Sequence, residues 1–114
     1  MTARPNSRET RAAIRARFLP LALGITSATP AALEAVGGRD NAVALMRQHE
    51  QGDWGCVDRE DAATNDEALF SGARILSAYP IDRDTPCKGY GENCVWIITE
   101  ADRSVTTLLL PSEY

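Results

Sequence analysis

Cys94-Val95-Trp96-Ile97-Ile98-Thr99 is the stretch on which the reading of this chain turns. It is almost continuously apolar and rich in β-formers, which predicts an inner strand covered on both faces. The polar run Glu100-Ala101-Asp102-Arg103-Ser104 reads as a turn, and Val105–Leu110 as a further strand that Pro111 terminates. Upstream, Ile75, Ser77 and Tyr79 alternate with Arg74, Leu76 and Ala78, the period of a strand over about 73–80. Between these runs, Asp82, Asp84, Pro86, Gly89, Gly91 and Asn93 give residues 82–93 the composition of an exposed loop. Three strands in succession predict an antiparallel meander, with Trp96 and Ile98 buried and Trp54 at least partly so.

The residues before the meander read as helices. Arg8 to Phe18 has a helical composition that stops before Pro20, and residues 20–28 read as an irregular apolar connector. Thr29-Pro30 places an N-cap and a first-turn proline, and Gly37-Gly38 ends the helix after Val36. Ala42, Leu45, Met46 and His49 then share one face of a helix over 40–50, capped by Asp40 or Asn41 and ended by Gly52. Gly52-Asp53-Trp54-Gly55 reads as a tight turn carrying an inserted ring. Asp58 caps a further helix to Ser71, with Asp61 in its first turn. Asn65 shares a face with Ala62 and Leu69, where its amide is expected to bond nearby backbone. Helices followed by antiparallel strands indicate an α+β protein of two layers. The expected division is a basic arm or helix over residues 1–19 and a single α+β domain over 20–114.

Charge is uneven along the 114 residues. Arg4, Arg8, Arg11, Arg15 and Arg17 stand against Glu9 alone in residues 1–17, a local balance of +4. The remaining 97 residues hold seven basic and fifteen acidic groups, a balance of −8. The acids concentrate at Asp53, Asp58, Glu60, Asp61, Asp66 and Glu67. An acidic body repels phosphate, which disfavours a conventional DNA-binding face. No run of 18 apolar residues occurs, so no membrane-spanning helix and no membrane partner are expected, and the chain reads as cytoplasmic.

Cys56, Cys87 and Cys94 form no CxxC pair, and an odd count leaves one thiol over after any disulfide. With His49, the only histidine, they offer the donor types of a Cys3His zinc site, but their spacings match no common knuckle. Unliganded thiols are expected, with no structural zinc, no obligatory disulfide and no cofactor.

Two segments carry a family resemblance. One is His49-Glu-Gln-Gly-Asp-Trp-Gly55 with Glu60-Asp61, Asn65, Ala68-Leu69, Arg74, Ser77 and Tyr79. The other is Trp96-Ile-Ile-Thr-Glu-Ala-Asp-Arg-Ser-Val-Thr-Thr-Leu-Leu-Leu-Pro-Ser-Glu-Tyr114, and the helix start Ala28-Thr-Pro-Ala-Ala-Leu-Glu34 also fits. Over roughly residues 20–114 the chain resembles a family of small proteins from plasmids, integrative elements and phages. Its members are labelled "plasmid-related protein" or "type I restriction endonuclease subunit M". No methyltransferase motif is present, so the second label implies no mechanism. The resemblance implies a mobile-element setting, in which small acidic proteins act on host defence machinery of the restriction or CRISPR type. A looser likeness of element order relates the chain to the Barnase–EndoU–colicin–RelE-like ribonucleases.

Two functional classes follow. A binding protein would present Asp53, Trp54, Asp58, Glu60, Asp61, Asp66 and Glu67 to a host or mobile-element protein or nucleoprotein. A metal-independent ribonuclease would take RNA and need a base, an acid and a cation for the phosphorane. Its candidates are His49 as base or acid, Arg74 or Arg103 as cation, and Thr99, Thr107 or Tyr79 as positioning groups. Histidine suits the role because its ordinary pKa lies near neutrality. No GxSxG, P-loop, GxGxxG or HExxH motif supports another enzyme class. Binding is the preferred expectation, because an acidic body suits RNA poorly.

Overall fold

The computed structural model describes residues 8–114. The apolar Cys94–Thr99 run supplies an inner strand, β3 (Val95–Thr99), paired antiparallel to β2 (Ile75–Tyr79) on one side and β4 (Val105–Leu109) on the other. Pleating sends alternate side chains to opposite faces. Ile75, Ser77, Tyr79, Val95, Ile97, Thr99, Thr106 and Leu108 therefore share one face, and all are buried.

The helices cover that face. Ala32 of α2 (Pro30–Ala35) and Ala42 and Leu45 of α3 (Arg39–Glu50) pack with Tyr79, Val95, Ile97 and Leu108. Ala68 and Leu69 of α4 (Arg59–Ser71) pack with Leu21, Trp54 and Ile75. Each fully buried Ile or Leu stabilises the fold by roughly 1.5–3 kcal/mol. The fold is α+β, as its sequence pattern predicts. The helix starts follow their caps: Thr29 Oγ1 accepts from Ala32 N at 3.1 Å, and Asp58 Oδ1 from Asp61 N at 2.7 Å.

The sheet itself departs from the expected antiparallel meander. Ile25–Ala28, read as an irregular connector, forms a fourth strand, β1, which runs parallel to β4. The strand order is β1-β4-β3-β2, so the sheet is mixed. No alternation marks β1 because its side chains are largely exposed; its backbone is recruited by β4. Gly24 permits the approach: with φ at +65°, a Cβ there would lie 2.2 Å from the Ser104 carbonyl oxygen.

The opposite edge of the sheet is closed. Asn65 uses both ends of its amide on β2, donating to Leu76 O at 2.8 Å and accepting from Leu76 N at 3.3 Å. The Asp53–Cys56 turn continues the closure, with Ala78 N donating to Trp54 O at 3.1 Å and Cys56 N to Ala78 O at 2.7 Å. Unpaired strand groups invite pairing with other chains, and these contacts remove them along β2.

Trp96 is half-buried rather than buried. Its indole N–H donates to Gly89 O at 2.8 Å, and its ring meets Tyr114 edge-on with centroids 5.8 Å apart. Ile98 and Trp54 are buried as expected. Loop 82–93 is irregular but tied down, because Asn93 Nδ2 bonds the carbonyls of Asp82, Thr85 and Pro86.

Within the basic segment, Arg8–Phe18 is helical. This helix, α1, docks on α4, with Ile14 buried and an ion pair from Arg15 to Asp66. Arg4 lies outside the described residues.

Candidate functional site

Four side chains from three strands and one helix form a buried polar chain. α3 ends by bringing His49 over the sheet, where Nδ1 lies 2.6 Å from Ser77 Oγ and Nε2 lies 2.8 Å from Thr99 Oγ1. Thr99 Oγ1 lies 2.7 Å from Thr106 Oγ1, and Thr106 Oγ1 donates to Leu23 O at 2.7 Å. All four side chains are fully buried.

The far end of this chain fixes its polarity. A carbonyl oxygen only accepts, so the single Thr106 hydroxyl proton goes to Leu23. Thr99 must then donate to Thr106, and Thr99 Oγ1 must accept from His49 Nε2–H. With the ring neutral, as its lowered pKa requires near neutral pH, Nδ1 carries no proton and accepts from Ser77. His49 is therefore the neutral Nε2–H tautomer. Burial, with the Arg103 charge adding to it, lowers its pKa from 6.5 to about 4. Among the described residues, no buried polar side-chain atom lacks a partner.

The ribonuclease candidates do not converge around this imidazole. Thr99 touches it, but both ring nitrogens are engaged and the ring has no exposed surface. Trp54 stands edge-on to it with centroids 5.8 Å apart. Arg103, at φ 61°, reaches the C-terminal end of α4, donating to Ala68 O at 2.9 Å and Ala73 O at 2.7 Å. Asp102 bonds Ser104 instead of pairing with it. Arg74 is exposed, lies over the Tyr114 ring at 5.3 Å and bonds its hydroxyl. Thr107, half-buried on the face away from the helices, lies 3.4 Å from Ser27. Tyr79 donates to Asp53 O at 2.6 Å, and burial keeps its phenol protonated. A general base must come within reach of its substrate proton, and this His49 is sealed from solvent.

The acidic residues divide into structural and exposed members. Asp66 Oδ1 accepts from the Trp54 indole N–H at 2.9 Å and also pairs with Arg15. Trp54 itself is 5% exposed and belongs to the core. Asp53 is exposed but closes its own turn, accepting from Gly55 N at 3.1 Å and Gln48 Nε2 at 2.8 Å. Asp58 is the N-cap of α4. Glu60 and Asp61 in the first turn of α4, and Glu67 further along, are exposed.

The expectation of three unliganded thiols needs correction. Cys56 and Cys87 are joined by a disulfide, and Cys94 is a free, buried thiol whose pKa burial pushes up. His49 takes no part in this group.

Residue spacing had marked His49 and Thr99 but not their partnership with Ser77 and Thr106. The available signal was Ser77 itself, a hydroxyl alternating in phase with apolar Ile75 and Tyr79. Compared with known proteins, the chain matches no protein-family profile, no curated protein and no solved structure.

Proposed function

We propose that this protein works by binding a protein or nucleoprotein partner rather than by catalysis. The observation that carries the reading is the burial of His49, the one side chain suited to proton transfer near neutrality, with both nitrogens committed. The mobile-element setting rests on the resemblance over residues 20–114, which favours a host defence nucleoprotein as the partner. The contact surface in this reading is the start of α4, where Glu60 and Asp61 project from a helix whose capping Asp58 holds them in place. Complementary charge there would speed encounter with a basic surface and would weaken as salt rises.

The test combines capture from a host lysate with an RNA-cleavage assay on the same preparation. The expected result is a complex with a defence nucleoprotein that dissociates at high salt, is lost in the Glu60→Lys/Asp61→Lys variant, and is accompanied by no cleavage. RNA cleavage by the wild type that disappears in His49→Gln, at retained fold, would overturn the reading.

A further inference from the structure

Cys56, Cys87 and Cys94 come from three separate segments. Cys56 lies in the turn before α4, Cys87 in the 82–93 loop, and Cys94 immediately before β3. Their sulfur atoms nevertheless all lie within 4.8 Å of one another. A disulfide needs two sulfurs. The third, fully buried and in the same cluster, asks for a separate explanation.

We propose that the fully reduced chain binds one thiophilic metal ion, Zn2+, through the thiolates of Cys56, Cys87 and Cys94. A zinc–thiolate bond of about 2.3 Å places sulfurs of a tetrahedral site roughly 3.8 Å apart. The Cys56 and Cys87 sulfurs must therefore separate once their disulfide is reduced, within a group that already spans no more than 4.8 Å. Each ligand lies on a segment held by its own hydrogen bonds. Cys56 N donates to Ala78 O at 2.7 Å, pinning the turn to β2. Asn93 gathers the carbonyls of the loop that carries Cys87, and Trp96 Nε1 holds the same loop at Gly89 O, 2.8 Å away. Gly89 lets the loop lie close: a Cβ at that residue would stand 3.2 Å from Cys56 O. Cys94 is fixed by its position at the start of an inner strand.

Three thiolates leave the fourth position of a tetrahedral ion to solvent or an added ligand. A cavity of about 550 Å³ lined by Glu92, Cys94, Leu110 and Pro111 meets the group at Cys94. Soft thiolate donors select zinc and copper(I) over calcium or magnesium. The disulfide form and the metal form exclude each other, because a disulfide sulfur is no thiolate.

The experiment uses the full chain, reduced with a phosphine and desalted without oxygen, then titrated with Co2+ as a spectroscopic probe and back-titrated with Zn2+. One ion per chain, with thiolate-to-cobalt charge-transfer absorption that Zn2+ abolishes, is the expected result. Protein carrying the Cys56–Cys87 disulfide should bind none. Cys94→Ser retains the other two thiols and should lose affinity by at least the roughly 100-fold that changes behind a ligand already reach. Cys87→Ser, altered in the loop rather than in the core, should do the same, with circular dichroism verifying the fold of each variant. Reduced wild type that binds no ion, or binds it no more tightly than a folded Cys94→Ser or Cys87→Ser variant, would overturn the proposal.

Discussion

His49 Nε2 and Thr99 Oγ1 stand 2.8 Å apart in the interior, where the end of α3 meets the inner strand β3. This contact joins a helix to the sheet with a directed bond, and it sits in a run of donors that ends on the Leu23 carbonyl. A proton added at Nδ1 would oblige the Ser77 hydroxyl to turn from donor to acceptor and would place a charge in the buried interior.

Stability should therefore fall on acidification through His49 itself. The folded pKa, lowered to about 4, lies below the ordinary 6.5, so the unfolded chain takes up the proton first. The His49 contribution is complete above pH 6.5 and is lost progressively down to pH 4, by about 3 kcal/mol in all. Urea unfolding at a series of pH values should show this slope in the wild type. His49→Gln should be less stable at pH 7 and lack that component of the slope.

Asn65 is expected to matter through β2 rather than through solvent. Asn65→Leu puts an apolar side chain of similar size in place of the amide and leaves both Leu76 backbone groups without their partner. The loss should be about 1–3 kcal/mol in chemical denaturation. Hydrogen exchange should accelerate at the Leu76 amide before it does so in β3.

Asp66 ties α1 to the body by accepting from both Arg15 and the Trp54 indole. Asp66→Ala leaves the indole N–H in a buried setting without its acceptor, at a cost of about 1–3 kcal/mol. Exchange protection over residues 12–18 should drop more than protection over α3. Equal loss in both helices would contradict this account.

Gly55 sits where the turn bridges to β2. At φ +72°, a Cβ would lie 1.9 Å from the Ala78 carbonyl oxygen. Gly55→Ala should destabilise by at least about 2 kcal/mol, combining left-handed backbone strain with a displaced Cys56–Ala78 bond. Gly72→Ala provides the comparison, since φ there is +80° but no atom lies within 4 Å of the added Cβ. It should cost only the strain.

The α+β class, the helices around 30–36, 40–50 and 58–71, and the three antiparallel strands were legible in the residue order. Those features depend on local chemistry: caps at Thr29 and Asp58, stops at Gly37 and Gly72, and periods of 3.6 and 2. β1 was not legible, because an exposed four-residue strand owes its conformation to the backbone of β4 and carries no pattern of its own. The same division runs through the candidate site. Sequence by itself singled out His49 as the one side chain suited to proton transfer and marked Asn65 as an amide seeking backbone. Only the tertiary structure decided that His49 is sealed and neutral, since its pKa depends on burial and on hydroxyls brought from β2 and β3. Only the tertiary structure, too, gathered Cys56, Cys87 and Cys94, because their proximity comes from how a turn, a loop and a strand end are packed. Spacing along the chain records none of that.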